Sequence, residues 1–289
     1  MNENRGPVLA CIDGSDDSDR AIRYALEEAG RLGTTVRLLH VVPELVAYAP
    51  GPDHIPVPGV DEAAQEIVKA AIDRCHSLAP DIEVSAVTEH GSRVKTIVDQ
   101  SETSSKVIIG TRPWRATRVV SGSTTAPAAA HAHCPVVAVP QAWTGETTHD
   151  QVMVGVDEKG EPTQVLRHAF EAAHNRGADL VVVHGWSPPG PYVGVFEAWD
   201  PVEWTKAVED QLTESIQPVR QDYPDVNVEV KVLFGLSRSA LAEAGGTADL
   251  LIVGRHRSRA PWLNRLGSVA HRAVHTNRLP VEVVPLQAD

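Results

Sequence analysis

Two groups of residues in this chain have the types and spacing to hold a charged small molecule, and landmarks of both recur later in the chain. The first is Asp13-Gly14-Ser15, an acid and a hydroxyl at a turn that closes an apolar run. The second is Gly110 followed by Gly122-Ser123, glycines in the approach to a helix. Glycines allow backbone N–H groups to close on an anion, and a helix N-terminus favours negative charge. Asp13, Gly33, His40, Gly91 and Gly110 return 144 residues later as Asp157, Gly177, His184, Gly235 and Gly254. Gly122, Ser123 and Pro135 return 145 residues later as Gly267, Ser268 and Pro280, so one loop differs in length by a single residue. A period this long marks a duplicated domain, not a solenoid unit.

The elements that must position these residues follow from periodicity. Pro7 to Ile12 is a short apolar run and reads as a buried strand. Ala21, Ala25, Leu26, Ala29 and Leu32 share one helical face within Ser18–Leu32, which Gly33 stops. The spacing predicts further strands at Val36–Val42, Ile82–Thr88, Val107–Ile109 and Pro135–Val139. Helices are expected at Asp61–Leu78, Ser92–Ser101 and Ser123–His131. The second half repeats the order. Its strands are Val152–Val156, Leu180–His184, Asn227–Leu233, Leu250–Val253 and Val281–Pro285. Its helices are Glu161–Arg176, Pro201–Arg220, Ser239–Gly245 and Ser268–Thr276. Strands separated by helices imply parallel βαβ units with right-handed crossovers. Each half is therefore expected to be α/β, an open five-stranded parallel sheet with helices on both faces. Ligands in such sheets sit beyond the carboxyl ends of the strands, where strand order reverses. The expected domains are 1–142 and 150–289, joined by the polar stretch Gln141–Asp150. Pro43–Gly59 and Pro188–Pro201, rich in proline and glycine, are expected as mobile or inserted segments at the ligand end.

The chain has 289 residues, 42% hydrophobic and 22% charged, with a net charge of −12. That balance argues against a general nucleic-acid or anionic-membrane surface. No apolar run reaches the ~18–20 residues needed to span a bilayer, and Met1 to Arg5 opens no signal-peptide apolar core. Three scattered cysteines, Cys11, Cys75 and Cys134, read as reduced thiols, and the location expected is cytoplasmic.

These residues, in this order and duplicated, resemble the universal stress protein family in its tandem form. The resemblance rests on Ile12-Asp13-Gly14-Ser15, His40-Val41-Val42, Glu89-His90-Gly91, Val107-Ile108-Ile109-Gly110, Gly122-Ser123 and His133-Cys134-Pro135-Val136. It implies two tandem sheets of the adenine nucleotide alpha hydrolase-like, Rossmann-like kind. In nucleotide-binding members the motif G-x-x-G, nine residues, G-[ST] holds phosphates. The acid after strand one meets the ribose or adenine edge, and backbone after strand two meets the base. Carried over, the contacts would be Asp13, Val41, Gly110, Gly122, Ser123 and Thr124 in the first copy. In the second they would be Asp157, Gly254, Arg257, Gly267, Ser268 and Val269. The ligand implied is ATP or a related adenine nucleotide, with or without Mg. Pairing through the last strands, between domains or in a homodimer, and an unidentified regulatory protein partner are implied as well.

Both copies depart from that motif. The first has Pro113 at the second glycine and only eight residues before Gly122. Proline loses a donor and fixes φ. The second has Arg257 there but keeps nine residues before Gly267, and Glu158-Lys159 replaces the Gly-Ser after its acid. Arg112, Arg115 and Arg118 in one loop, and Arg255, Arg257, Arg259 and Arg265 in the other, suit phosphate. Solvated loop arginines, or arginines paired with the acidic surface, are the alternative. Asp13 and Asp157 are ligand contacts or plain helix-start residues, and Ser123 and Ser268 are expected as N-caps either way. His131-Ala132-His133-Cys134 suits the entry to the last strand better than a tetrahedral metal site, so no metal ligand is assigned. His40 and His184 are structural or pocket-lining.

Three functions compete. The first is a regulatory stress protein that holds nucleotide without significant turnover. The second is a dimerisation or scaffold protein that holds none. An enzyme is the third, and it is disfavoured because neither a Walker A sequence nor a Ser/His/Asp arrangement with defensible spacing is present.

Overall fold

The computed structural model describes residues 6–43, 59–112, 124–146, 148–156, 163–186, 201–234, 248–256, 266–276 and 278–286. It divides into two compact units, Met1–Gly145 and Glu146–Asp289.

In the first unit the strands are β1 (Val8–Ile12), β2 (Val36–Val42), β3 (Val84–His90), β4 (Lys106–Thr111) and β5 (Val136–Pro140). They lie in the order β3-β2-β1-β4-β5, and every described pair is parallel. The helices between them are α1 (Asp16–Leu32), α2 (Val60–Leu78), α3 (Arg93–Ser101) and α4 (Thr125–His131). Alternate strand residues Val8, Ala10, Ile12, Val36, Leu38, Ile108, Val137 and Val139 pack on Ile22, Ala25, Leu26 and Ala29 of α1 and on Ala71 and Cys75 of α2. α3 and α4 pack together over the opposite face. Strand order reverses between β1 and β4, since successive strands step to one side and then the other.

The second unit repeats this plan with β6 (Gln151–Val156), β7 (Asp179–Trp186), β8 (Val228–Phe234), β9 (Leu250–His256) and β10 (Val281–Leu286). Its order is β8-β7-β6-β9-β10, all parallel. α5 (Thr163–Arg176) and α6 (Pro201–Arg220) supply Leu166, Phe170, Ile216 and Val219 to one core. α7 (Ser268–Thr276) packs against β9 and β10.

Several boundaries differ from the sequence reading. β3 begins at Val84, not Ile82, because the Ile82 N–H turns back to the Ala79 carbonyl. It runs on through Glu89 and His90, which pair with Val41 and Val42. β4 and β9 are longer than expected. Gly110 pairs with Val139, and Gly254 with Val284, so both glycines are strand residues that precede the loops. α1 starts at Asp16, two residues early, because Ser15 caps it with its own side chain. The helix expected at Ser239–Gly245 and the segments 44–58 and 187–200 lie outside the described residues.

Candidate functional site

The carboxyl ends of β1, β2 and β4 meet where the order reverses, and Asp13 stands at the first of them. Its Oδ1 accepts from the Ser15 N–H at 3.1 Å and from the Ser15 hydroxyl at 2.5 Å. Ser15 in turn accepts from the Ser18 N–H, so acid, turn and helix start form one hydrogen-bonded unit. Gly14 makes the turn at φ +78, with Ile67 of α2 against it. Burial alone would raise the Asp13 carboxyl. The two Ser15 donors, with positive charge from Arg112 and Arg93, outweigh it and hold the group below the usual carboxylate range. Burial pushes the neighbouring Cys11 thiol up to about 12, with Cys134 and Asp13 adding to the effect.

His40 is buried, and its Nδ1 lies 3.0 Å from the Ile12 carbonyl, the peptide that leads into Asp13. A carbonyl only accepts, so Nδ1 carries the hydrogen. The second copy repeats the contact: His184 Nδ1 lies 3.1 Å from the Val156 carbonyl, before Asp157. Both histidines therefore fix the end of the central strand. Val41 beside His40 is buried, and the Gly91 N–H donates to the Val42 carbonyl at 3.0 Å, closing the β2 end.

Gly110 serves a purpose that the sequence did not reveal. A Cβ there would lie 2.0 Å from the Asp17 carbonyl oxygen. The first turn of α1 packs directly on β4, and only glycine leaves room. Gly254 differs: a Cβ would meet the Leu286 side chain at 2.7 Å. Of the alternatives open for Arg112 (phosphate, solvent or an acidic partner), the structure shows the last: its guanidinium is ion-paired with Asp17, which also pairs with Arg20. Arg255, placed in a loop by the sequence reading, is a β9 residue only 2% exposed.

Two cap expectations need correction. α4 starts at Thr125, so the cap falls to Thr124, one residue past Ser123, and the Thr124 side chain makes no cap hydrogen bond. In α7 Ser268 is the first helical residue, so the cap position falls to Gly267, whose carbonyl accepts from His271. Among the described residues, nothing lies within 4 Å of where a Cβ on Gly267 would stand. Val269 follows in the first turn of α7. Gly122, Ser123, Asp157 and Arg257 lie outside the described residues. The His133 N–H donates to Ser101 Oγ at 2.8 Å, tying the end of α4 to α3. Among the described residues no three His, Cys, Asp or Glu side chains gather as a metal site would require.

A fold of this kind is found in known proteins. The sequence profile of the universal stress protein family matches residues 4–140 and again residues 148–285. A universal stress protein of Mycolicibacterium smegmatis is 30% identical over 290 residues, 96% of each chain. One from Mycobacterium tuberculosis is 29% identical over 306 residues, 98% of this chain and 96% of its own. Among solved structures, a universal stress protein from Archaeoglobus fulgidus shares the fold at a TM-score of 0.71 and 18% identity, covering 96% of this chain and 98% of its own. No helix among the described residues is long and apolar enough to cross a membrane. Matched twice along its length, the chain belongs to the universal stress protein family, in the tandem form.

Proposed function

We propose that this protein is a regulatory stress protein that holds ATP or a related adenine nucleotide, with or without Mg, and does not turn it over significantly. The observation that carries the reading is where the chemistry-bearing residues fall. Asp13, Val41 and Gly110, with Gly254, Gly267 and Val269 in the other unit, stand at the carboxyl ends of strands or at the start of the last helix. That edge, at the reversal of strand order, is where sheets of this kind take ligands. In the proposed arrangement Asp13 meets the sugar or base edge and the Val41 backbone meets the base. Gly122, Ser123 and Thr124 in one domain, and Gly267 and Ser268 in the other, meet phosphate, with Asp157 and Arg257 completing the second site. The proposed domains are 1–142 and 150–289, and pairing through the last strands, a cytoplasmic location and a protein partner belong to the same proposal.

The second domain is the better phosphate site. Its loop keeps the nine-residue spacing, and among the described residues none crowds Gly267. The test is to denature the purified protein and identify any released small molecule by mass spectrometry, with calorimetric titration of ATP into protein stripped of ligand. An adenine nucleotide released in stoichiometric amount is the expected result. A protein that releases none and gives no heat with ATP fits the scaffold reading instead.

A further inference from the structure

We propose that Asp17 is an internal competitor for Arg112, so that the first domain takes a polyphosphate ligand only by drawing that arginine off Asp17. The proposal rests on the nucleotide reading above and names what governs its first site.

Gly110 is its origin. Without a Cβ, it lets the main chain of the first turn of α1 close on β4, and that brings Asp17 to the carboxyl end of β4, beside Arg112. The Asp17 carboxylate, on a residue only 9% exposed, then reaches both guanidiniums, Oδ1 to Arg20 and Oδ2 to Arg112. Burial, with Arg112 adding like charge, weakens the hold of Arg20 on its proton, while Asp16 strengthens it. Asp13 stands in the field of Arg112 and Arg93. Among the described residues, three carboxylates (Asp13, Asp16, Asp17) and three guanidiniums (Arg20, Arg93, Arg112) thus share this corner, and their charges cancel. A phosphate gains little there until one arginine is released. Of the two arginines held by Asp17, Arg112 is the one able to move. Its side chain is 52% exposed, against 16% for Arg20, and it opens the loop that leads to Gly122-Ser123. A phosphate oxygen offers a guanidinium the same kind of acceptor as a carboxylate oxygen. In the second copy Glu161, Gln164 and His256 stand in the sequence where Asp17, Arg20 and Arg112 do, so neither arginine is present. The competitor belongs to the first domain.

The experiment titrates ATP, inorganic tripolyphosphate and adenosine into the full chain carrying Gly267→Val, which silences the second site. Four proteins are compared: that background alone, with Asp17→Asn, with Arg112→Ala, and with both. Asp17→Asn should tighten ATP and tripolyphosphate by about two- to fivefold and leave adenosine unchanged. Adding Arg112→Ala should abolish the gain. Asp17→Ser serves as the second variant if asparagine disturbs the helix start, and circular dichroism and the melting temperature certify the fold. Phosphate affinity that is unchanged or weaker in both folded Asp17 variants overturns the proposal, as does a gain that survives Arg112→Ala. Tripolyphosphate tightening without ATP binding in any protein would keep the competitor and sink the nucleotide reading. Binding of no probe to any protein sinks both.

Discussion

At the scale of single residues, two glycines that look alike in the sequence have opposite physical standing. Gly110→Ala forces a methyl group against the Asp17 carbonyl, a rigid main-chain atom 2.0 Å away. It should cost about 3 kcal/mol in urea denaturation. Gly267→Ala meets no described residue within 4 Å and should cost under about 1 kcal/mol, since it changes only a cap position. Equal losses from the two would contradict the packing described. Asp13 carries a pH signature. Its folded carboxyl is held below the usual range by Ser15 and two arginines, against the opposing effect of burial. Such a group adds stability above its unfolded pKa, and the contribution is lost as pH falls through the folded value. Asp13→Asn should therefore flatten the acid loss of stability below about pH 4. Parallel urea midpoints for both proteins at pH 6 and pH 3 would refute this.

At the scale of elements, α1 crosses to β4 and the two copies secure the crossing differently. In the first, Lys106 of β4 and Glu28 of α1 form a 2.8 Å pair with side chains 6% and 1% exposed, and Arg31 also donates to Glu28. In the second, Leu250 and Ala172 stand at the same places, both buried. Lys106→Met strands part of the charge on Glu28 and should cost about 3 kcal/mol. The double change Lys106→Leu with Glu28→Ala installs the residues of the second copy and should recover most of that loss. A double variant no more stable than Lys106→Met would show that the pair contributes more than mutual neutralisation. The order of elements was legible in the sequence because apolar periodicity and glycine stops are local signals. The ends were not. Ile82 looks like a strand residue, but a turn through Ala79 claims its N–H. The role of Gly110 was hidden because it depends on Asp17, which is distant in sequence. For the same reason the sequence left Arg112 open between phosphate, solvent and an acidic partner, and Arg255 gave no sign of burial. His40 and His184 were legible as a repeated pair, although the carbonyl that each one holds was not.

At the scale of the whole molecule, the proposed sites can be counted. If both domains hold nucleotide, Gly122→Val and Gly267→Val should each remove one equivalent from a calorimetric titration, and the double variant should bind none. If the second domain alone is occupied, only Gly267→Val should matter. Unchanged stoichiometry in all three variants would place any nucleotide elsewhere. The different interiors of the two copies also bear on how a duplicated gene is kept. Near-identical repeats invite unequal exchange, in which one copy is lost and a hybrid remains. That hybrid joins the first helix of the first copy to the fourth strand of the second and sets Glu28 opposite Leu250, a buried carboxylate without its lysine. Such a product would fold poorly and be removed, so the divergence of one buried pair helps keep the chain double.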